Sequence, residues 1–509
     1  MDNMSYDMNL GGEKQAAQAL DLYGVLSDDH WLDRLQASYL NKQQQSMVQQ
    51  TAYETLLSLA DFGVRWSKRS TEESTTVSLR YLEQAEAFHP PTRAFYWVRR
   101  ECLKFLNKLE EAERDLKLFQ STAATTAFDY YLPGHTAGWG GDLKEAIRSY
   151  EAALRIQPDH FNSLFFLATR LHSGGRKAEA VQIWRVCLAL RPNHVPTLRN
   201  RAIALGEQGN FDEALESLNK AIKLRSGSTV ALAARVTIYL ARGEIQKALS
   251  DLDEVIRLAT KEGDASMLAN AYKHRAEANN RLGRADRALE DLNAAVDLAT
   301  AKIPSDHSVI FHAIRNRGMV LQALRRYDEA LIDLDHAFRL NNKDGTASNQ
   351  LAWFLATCPD RSYRDPSRAV ELASQAVELA PRTWNNWNTL GVAQYRADDL
   401  TTAVKSLTTS LEKKGDVESP ENDFFLAMAH WRLGDHDKAR HWYEKAVKIM
   451  TVNKSTDEEL LRFRAEAEET LGIETEAQTP KKSDGQSPEA VISSEKTLQD
   501  VPPTNSDLP

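Results

Sequence analysis

Small apolar residues return along this chain at a fixed interval. Ser78, Ala112, Ala146, Ala180, Ala214 and Ala248 follow one another in steps of 34 (112 − 78 = 34, and so on). Four residues after each stands a large or apolar side chain: Leu82, Leu116, Tyr150, Trp184, Leu218 and Leu252. Three residues further on the side chain is mostly small, as at Ala85, Ala153, Cys187 and Ala221, with Phe119 and Val255 as the larger exceptions. Spacings of four and three put all three positions on one helical face. Pro90, Pro158 and Pro192 fall twelve residues after their small residue and stop the helix, since proline lacks the N–H and clashes with the preceding turn. The stretch between successive copies holds a second helix. In Phe161–His194, Leu164, Leu167, Ala168 and Leu171 make one apolar face, Gly174 and Gly175 the turn, and Ala180, Trp184, Cys187 and Leu190 the other face. A period of this length marks a solenoid of antiparallel helical hairpins, in which small residues let two backbones approach and large ones fill the space beside them.

The frame continues with insertions. Ala248 to Ala288 is a step of 40, with KEGDAS (261–266) inserted, and Ala288 to Ala330 is a step of 42, with the surplus at AKIPSDHS (301–308). Ala330 to Ala369 is a step of 39, taken up by a longer turn at CPDRSYRDP (358–366), where Asp365 can cap the next helix and Pro366 can open it. Ala403 and Ala439 complete eleven second helices. The expected fold is all-α, with no β-sheet. Residues 1–14 are polar and read as a flexible start, and 15–76 as a helical N-terminal segment that ends in a loop at SKRSTEES (67–74). The repeats run over 77–450. A capping helix follows in 451–474, opening with a capping box from Thr456 to Glu459 and carrying the stripe Leu460, Phe463, Ala467 and Leu471 to cover the last hairpin. Residues 475–509 turn to Lys, Ser, Thr, Asp and Pro and read as a disordered tail.

Composition narrows the function. Over 509 residues the chain is 42% hydrophobic and 27% charged, as a folded protein should be. A net charge of −9 speaks against a nucleic-acid partner, which would call for a basic stripe. Cys102, Cys187 and Cys358 lie too far apart in sequence for a disulfide framework or a metal quartet. No apolar run approaches a membrane span, and the first residues lack a basic segment followed by an apolar one, so the expected location is the cytoplasm.

Motifs that could carry chemistry dissolve on inspection. Asp61-Phe62-Gly63 spells the kinase metal-binding triplet but lies in a helical pattern without the other kinase elements ahead of it. Gly134, Gly138, Gly140 and Gly141 lack a Walker lysine and read as a turn between helices. His430, His436 and His441 lack the spacing of zinc ligands, His436 falling in a turn and His441 about 140° further round a helix. No catalytic residue, cofactor or metal site follows, and the chain is not expected to be an enzyme. More informative are Arg201, Arg235, Arg275 and Arg317, which share one position on the first helix of their hairpins. Asp251, Asp291 and Asp333 stand 16 residues after the last three, facing them across an antiparallel pair. A structural ion pair in each hairpin is the favoured reading, and a basic strip for anionic partners the alternative.

One hairpin carries a family signature. Trp387, Leu390, Gly391, Tyr395, Ala403, Leu407 and Ser410 occupy the positions of the tetratricopeptide-repeat pattern W-x-x-L-G-x-x-Y…A…F/L…A/S. With the 34-residue period, residues 77–450 resemble that family, which implies a right-handed superhelix built to bind proteins. The strings LAWFLATCPDRSYRDPSRAVELASQAVELAP (351–381), FHPPTRAFYWVRRECL (88–103) and LPGHTAGWGGDLKEAI (132–147) further resemble repeat regions of large planctomycete bacterial proteins, which often follow a Ser/Thr kinase domain. No kinase domain precedes them here.

In the tetratricopeptide family, a stripe at positions two, five, nine and twelve of the first helix lines the concave groove. In this chain it holds Asn270 and Lys273, then Arg315 and Gln322, and later Asn388. Amides and cations suit a peptide backbone and acidic side chains, although the carboxylate clamp of chaperone-binding relatives is not reproduced. The resemblance therefore implies a non-catalytic scaffold that holds a protein or peptide through these five residues. The second reading is a detached regulatory region of a bacterial Ser/Thr kinase, with a Ser/Thr kinase as its partner. Phe424–Trp431 is the fallback face.

Overall fold

A computed structural model of the protein describes residues 12–28, 30–65, 71–302, 307–415 and 418–473. The expected flexible start (1–14, up to residue 11) and the expected tail (475–509) lie outside the described residues, as do 67–70 of SKRSTEES and 303–306 of the second insertion. The described residues are helical throughout, apart from turns and one 3₁₀ turn. They form two compact units divided between Asp333 and Leu334.

The first unit opens with α1 (Gly12–Leu22), α2 (Trp31–Gln36) and the long α3 (Lys42–Arg65), which pairs with α4 (Glu72–Phe88). Regular hairpins follow: α5 (Arg93–Phe105) with α6 (Leu109–Ser121), α7 (Phe128–Trp139) with α8 (Leu143–Ile156), and α9 (Phe161–Ser173) with α10 (Lys177–Leu190). The next are α11 (Val195–Gly206) with α12 (Phe211–Leu224), α13 (Thr229–Arg242) with α14 (Ile245–Glu262), and α15 (Ala265–Arg281) with α16 (Ala285–Lys302). Then comes α17 (His307–Ala323), packed on α16 and α15, and the boundary between units falls within α18 (Tyr327–Leu340). The second unit continues with α19 (Gly345–Thr357) against α20 (Pro366–Leu379), α21 (Trp384–Arg396) against α22 (Leu400–Lys414), and α23 (Pro420–Arg432) against α24 (His436–Val452). It ends with α25 (Glu458–Leu471).

The period in the sequence is the packing rule of the hairpins. Every ladder position from Ala146 to Ala439 is fully buried, and Ser78 and Ala112 nearly so. Trp184, Tyr150 and Leu218, one turn on, are buried beside them. Where approach is closest even a methyl group is too much: a Cβ at Gly391 would meet Leu407 Cγ at 2.5 Å.

Local chemistry moves several boundaries. Thr71 caps α4 through the Ser74 N–H, so residues 72–74 are helical and not loop. The inserted KEGDAS forms no separate loop. It lengthens α14 and α15 to 18 and 17 residues around a left-handed Gly263, with Asp264 capping α15. Asp365 accepts from the Arg368 N–H at 3.0 Å and Pro366 begins α20. The last helix is capped by Asp457, which accepts from the Glu459 and Leu460 N–H groups, instead of by Thr456.

The glycine cluster is also corrected. Only Gly140 and Gly141 make a turn, whereas Gly134 and Gly138 lie inside α7. Their missing side chains let α7 close on α8, since a Cβ on Gly134 would sit 2.6 Å from that of Ser149. His436 is likewise the first residue of α24, not a turn residue.

Candidate functional site

The arginine ladder is structural. Arg235 reaches Asp251 with two bonds of 2.7 Å, Arg317 reaches Asp333 at 2.7 and 2.9 Å, and Arg275 reaches Asp291 at 2.6 Å. Each carboxylate is buried, so the guanidinium fork is spent inside the hairpin. The hydrogen bond to its aspartate is the largest influence raising the pKa of each arginine. A second bond runs to the second helix of the preceding hairpin: Arg235 to Asn219 at 2.6 Å, Arg275 to Asp253 at 2.9 Å and Arg317 to Asn293 at 3.2 Å. Each arginine therefore ties two hairpins together. Arg201, which lacks the aspartate, bonds Ser217 at 3.0 Å and pairs with Glu213.

Sequence reading missed one rung. Arg99 bonds Asp115 through two contacts of 2.8 Å, again 16 residues apart. The spacing was there to find, but Pro133 and Leu167 interrupt the arginine column between Arg99 and Arg201.

With the ladder withdrawn from ligands, the polar stripe on the first helices remains. Asn270 and Lys273 come together on α15, Lys273 Nζ donating to Asn270 Oδ1 at 3.1 Å while Asn270 Nδ2 donates to the Ser266 carbonyl at 3.0 Å. α17 lies alongside α15 and carries Arg315, whose guanidinium sits 5.4 Å from the Phe311 ring centre, and Gln322. All four side chains are half-buried. The neighbouring acid, Glu277, is matched already by His274 at 3.6 Å and Arg281 at 2.5 Å. Its carboxyl is held below the ordinary value, first by the His274 hydrogen bond. The face carries the Lys273 ammonium, the Arg315 guanidinium, which also bonds Asn316 at 3.4 Å, and two amides.

Asn388 belongs to the second unit and is not an open contact. It is 5% exposed, and its Nδ2 donates to Asn422, whose own Nδ2 donates to the Leu407 carbonyl at 3.0 Å. It lines a pocket of about 310 Å³ with Asn349, Trp353, Asn385, Glu459 and others. The fallback face is closed too: Phe424, Phe425 and Met428 are fully buried.

Phe424 meets Tyr443 of α24, and Phe425 is covered by Phe463 of α25, which lies across the first helices of this unit and packs chiefly on α23, with little contact to α24. This last helix does not continue the stack, as a cap over the last hairpin would.

Asp61 lies within α3 and is buried. No group of three or more His, Cys, Asp or Glu residues suited to a metal occurs among the described residues. Burial pushes the Cys187 thiol up to about 12, far from a reactive thiolate. Among the described residues no helix is long and apolar enough to cross a membrane.

Comparison with known proteins agrees with the packing rule. Residues 134–194 and 199–262 match one tetratricopeptide-repeat model, and residues 424–449 match another. Tetratricopeptide repeat protein 33 of Homo sapiens is 30% identical over 98 residues, which are 19% of this chain and 36% of that protein, and the Mus musculus protein matches to the same extent. The match thus spans little more than a third of these relatives' own length. A tetratricopeptide repeat protein from Parabacteroides merdae aligns at 18% identity and a TM-score of 0.43, covering 53% of this chain and 100% of that one. A chain of the APC/C hetero-tetramer Cut9–Hcn1 aligns at 14% identity and a TM-score of 0.46, over 88% and 97%. The chain carries tetratricopeptide repeats.

Proposed function

We propose that this protein is a non-catalytic, cytoplasmic interaction scaffold that holds an acidic peptide segment of a partner against the first helices α15 and α17. Asn270, Lys273, Arg315 and Gln322 make the contacts, and Asn388, buried against Asn422, is not among them. The observation that carries this reading is that two neighbouring helices each carry a cation and an amide, Lys273 bonded to Asn270 on α15, and Arg315 with Gln322 on α17. The amides serve the peptide backbone, and Lys273 and Arg315 serve carboxylates. Rigid hairpins on either side reduce the ordering cost of binding.

The test is an array of acidic and neutral peptides probed with wild-type protein and with the Lys273→Glu/Arg315→Glu double variant. Acidic peptides should bind the wild type and lose at least about tenfold in affinity, about 1.4 kcal/mol, in the variant. Equal binding by both folded proteins would reject the site. A second reading, a regulatory region acting with a Ser/Thr kinase, is favoured by the resemblance of residues 88–103 and 351–381 to kinase-linked repeat regions. It would show as a peptide preference for kinase activation-segment sequences on the same array.

A further inference from the structure

The placement of α25 does not follow from the repeat. Elsewhere in the second unit a first helix packs along the second helix before it, as α21 does on α20 and α23 on α22. α25 instead packs chiefly on α23 and reaches α19 and α21, which are all first helices. Two anchors fasten it to the first helices. Phe463, fully buried, meets the Phe425 ring at 5.0 Å and the edge of Trp353 at 6.1 Å. Glu466, one turn on, receives both terminal nitrogens of Arg396, the second at 2.7 Å.

The face under α25 has its own chemistry. The Arg396 Nε donates to the Ala356 carbonyl at 3.2 Å and the Arg364 Nε to the Cys358 carbonyl at 2.7 Å, which fixes both guanidinium planes on the receiving side. Burial works to raise the Glu466 carboxyl, but Arg396, Arg364 and Arg361 together hold it below the ordinary value. Without α25 this would be a half-buried basic cleft beside an aromatic socket, a costly arrangement to leave empty. The fit is also partial. The 310 Å³ pocket remains between the first turn of α25, at Asp457, Glu459 and Leu460, and the Asn349, Trp353 and Asn388 side chains, and Leu461 stays 46% exposed. Glu459 and Glu468 meet arginines of α25 itself, Arg462 at 3.2 Å and Arg464 at 2.8 Å, so those ion pairs travel with the helix, while Glu468 also accepts from the Tyr443 hydroxyl of α24 at 2.7 Å.

We propose that the face of α19, α21 and α23 is a helix-docking groove, that α25 occupies it as a ligand in cis, and that its external partner is an amphipathic helix bearing an aromatic residue and, three positions on, a carboxylate. A helix places residues i and i+3 on one side, which matches the socket at Trp353 and Phe425 and the fork of Arg396. A tethered occupant competes at a high effective concentration, so a partner helix binds weakly until α25 is loosened. The inference does not rest on the α15–α17 site.

The test uses the full chain and, as probe, a fluorescein-labelled peptide with the sequence of residues 456–473. Wild-type protein should bind it weakly, and the Glu466→Arg variant, which sets like charges together at Arg396, at least tenfold more tightly. A peptide with alanine in place of Phe463 should not bind. Adding Arg396→Glu to Glu466→Arg should restore docking in cis and abolish capture of the unaltered peptide. Hydrogen exchange on the wild-type chain requires no variant, and α25 amides should exchange faster than those of α23. Equal peptide binding by wild type and Glu466→Arg, or exchange of α25 only in step with α23, would overturn the proposal. So would concentration-dependent dimerisation of Glu466→Arg without peptide capture, because the occupant would then be α25 of a second copy.

Discussion

Single residues set the pH response of this fold. His160 and His194 stand at the N-cap positions of α9 and α11, where a ring nitrogen sits 2.7 Å from the Ser163 and Thr197 hydroxyls, and the His194 ring also accepts from the Thr197 N–H. Burial pushes both imidazoles down to about 4. A depressed histidine leaves the unfolded chain holding more protons below its ordinary pKa of about 6.5. Stability is therefore complete above that value and falls as the pH drops toward 4, by at most about 1.4 kcal/mol per pH unit for each histidine. The His160→Asn/His194→Asn variant removes both imidazoles, and urea denaturation should show a flatter stability profile between these pH values.

Asp423 behaves in the opposite sense. Burial raises its carboxyl to about 6 against the pull of Lys445, whose Nζ lies 3.1 Å away. The folded state then holds the proton more tightly, so the stability it contributes is full below the ordinary carboxylate range and is lost as the pH rises through 6. Asp423→Asn should stabilise the protein at pH 7.5 by about 1–2 kcal/mol, discounted for the Lys445 contact. An unchanged denaturation midpoint would show that the lysine offsets the burial.

Between helices, the arginine ladder decides how a substitution is felt. Arg275→Leu strands the buried Asp291 and should cost about 3–5 kcal/mol. Arg275→Leu with Asp291→Leu removes both charges and should recover most of that loss, since replacing a whole buried pair by apolar side chains is often neutral. The chain already uses this solution at Leu167 and Ile183, the same two positions of an earlier hairpin. Urea denaturation of the two single variants and the double variant gives the coupling directly. The within-hairpin pairs were legible because antiparallel helices of fixed length bring residues 16 apart face to face. The bonds to Asn219, Asp253 and Asn293 were not, because they join different hairpins and depend on how one stacks on the next.

At the level of the whole molecule, stability is close to a sum over hairpins and their nearest neighbours. For this reason the Lys273→Glu/Arg315→Glu variant should change peptide capture while leaving the melting temperature nearly unchanged: both side chains stand on a polar face and outside the ladder. The sequence alone determined the all-helical fold, the hairpin, and the residues that let its two helices meet, because each is written in a local period of small and large side chains. It also placed Asn270 with Lys273 on one helix and Arg315 with Gln322 on another, since the helical period fixes which positions share an element. Only tertiary structure decided that Gly134 and Gly138 lie within a helix, that Asn388 is turned into the interior, and that α25 crosses the first helices of its unit. Each of these depends on which surface a segment meets after folding. An amphipathic stripe such as Phe463, Ala467 and Leu471 states that a face must be buried, but not against what. In this molecule the partner was chosen by an aromatic socket at Trp353 and Phe425 and by the paired charge of Arg396, all distant in sequence from the helix they hold.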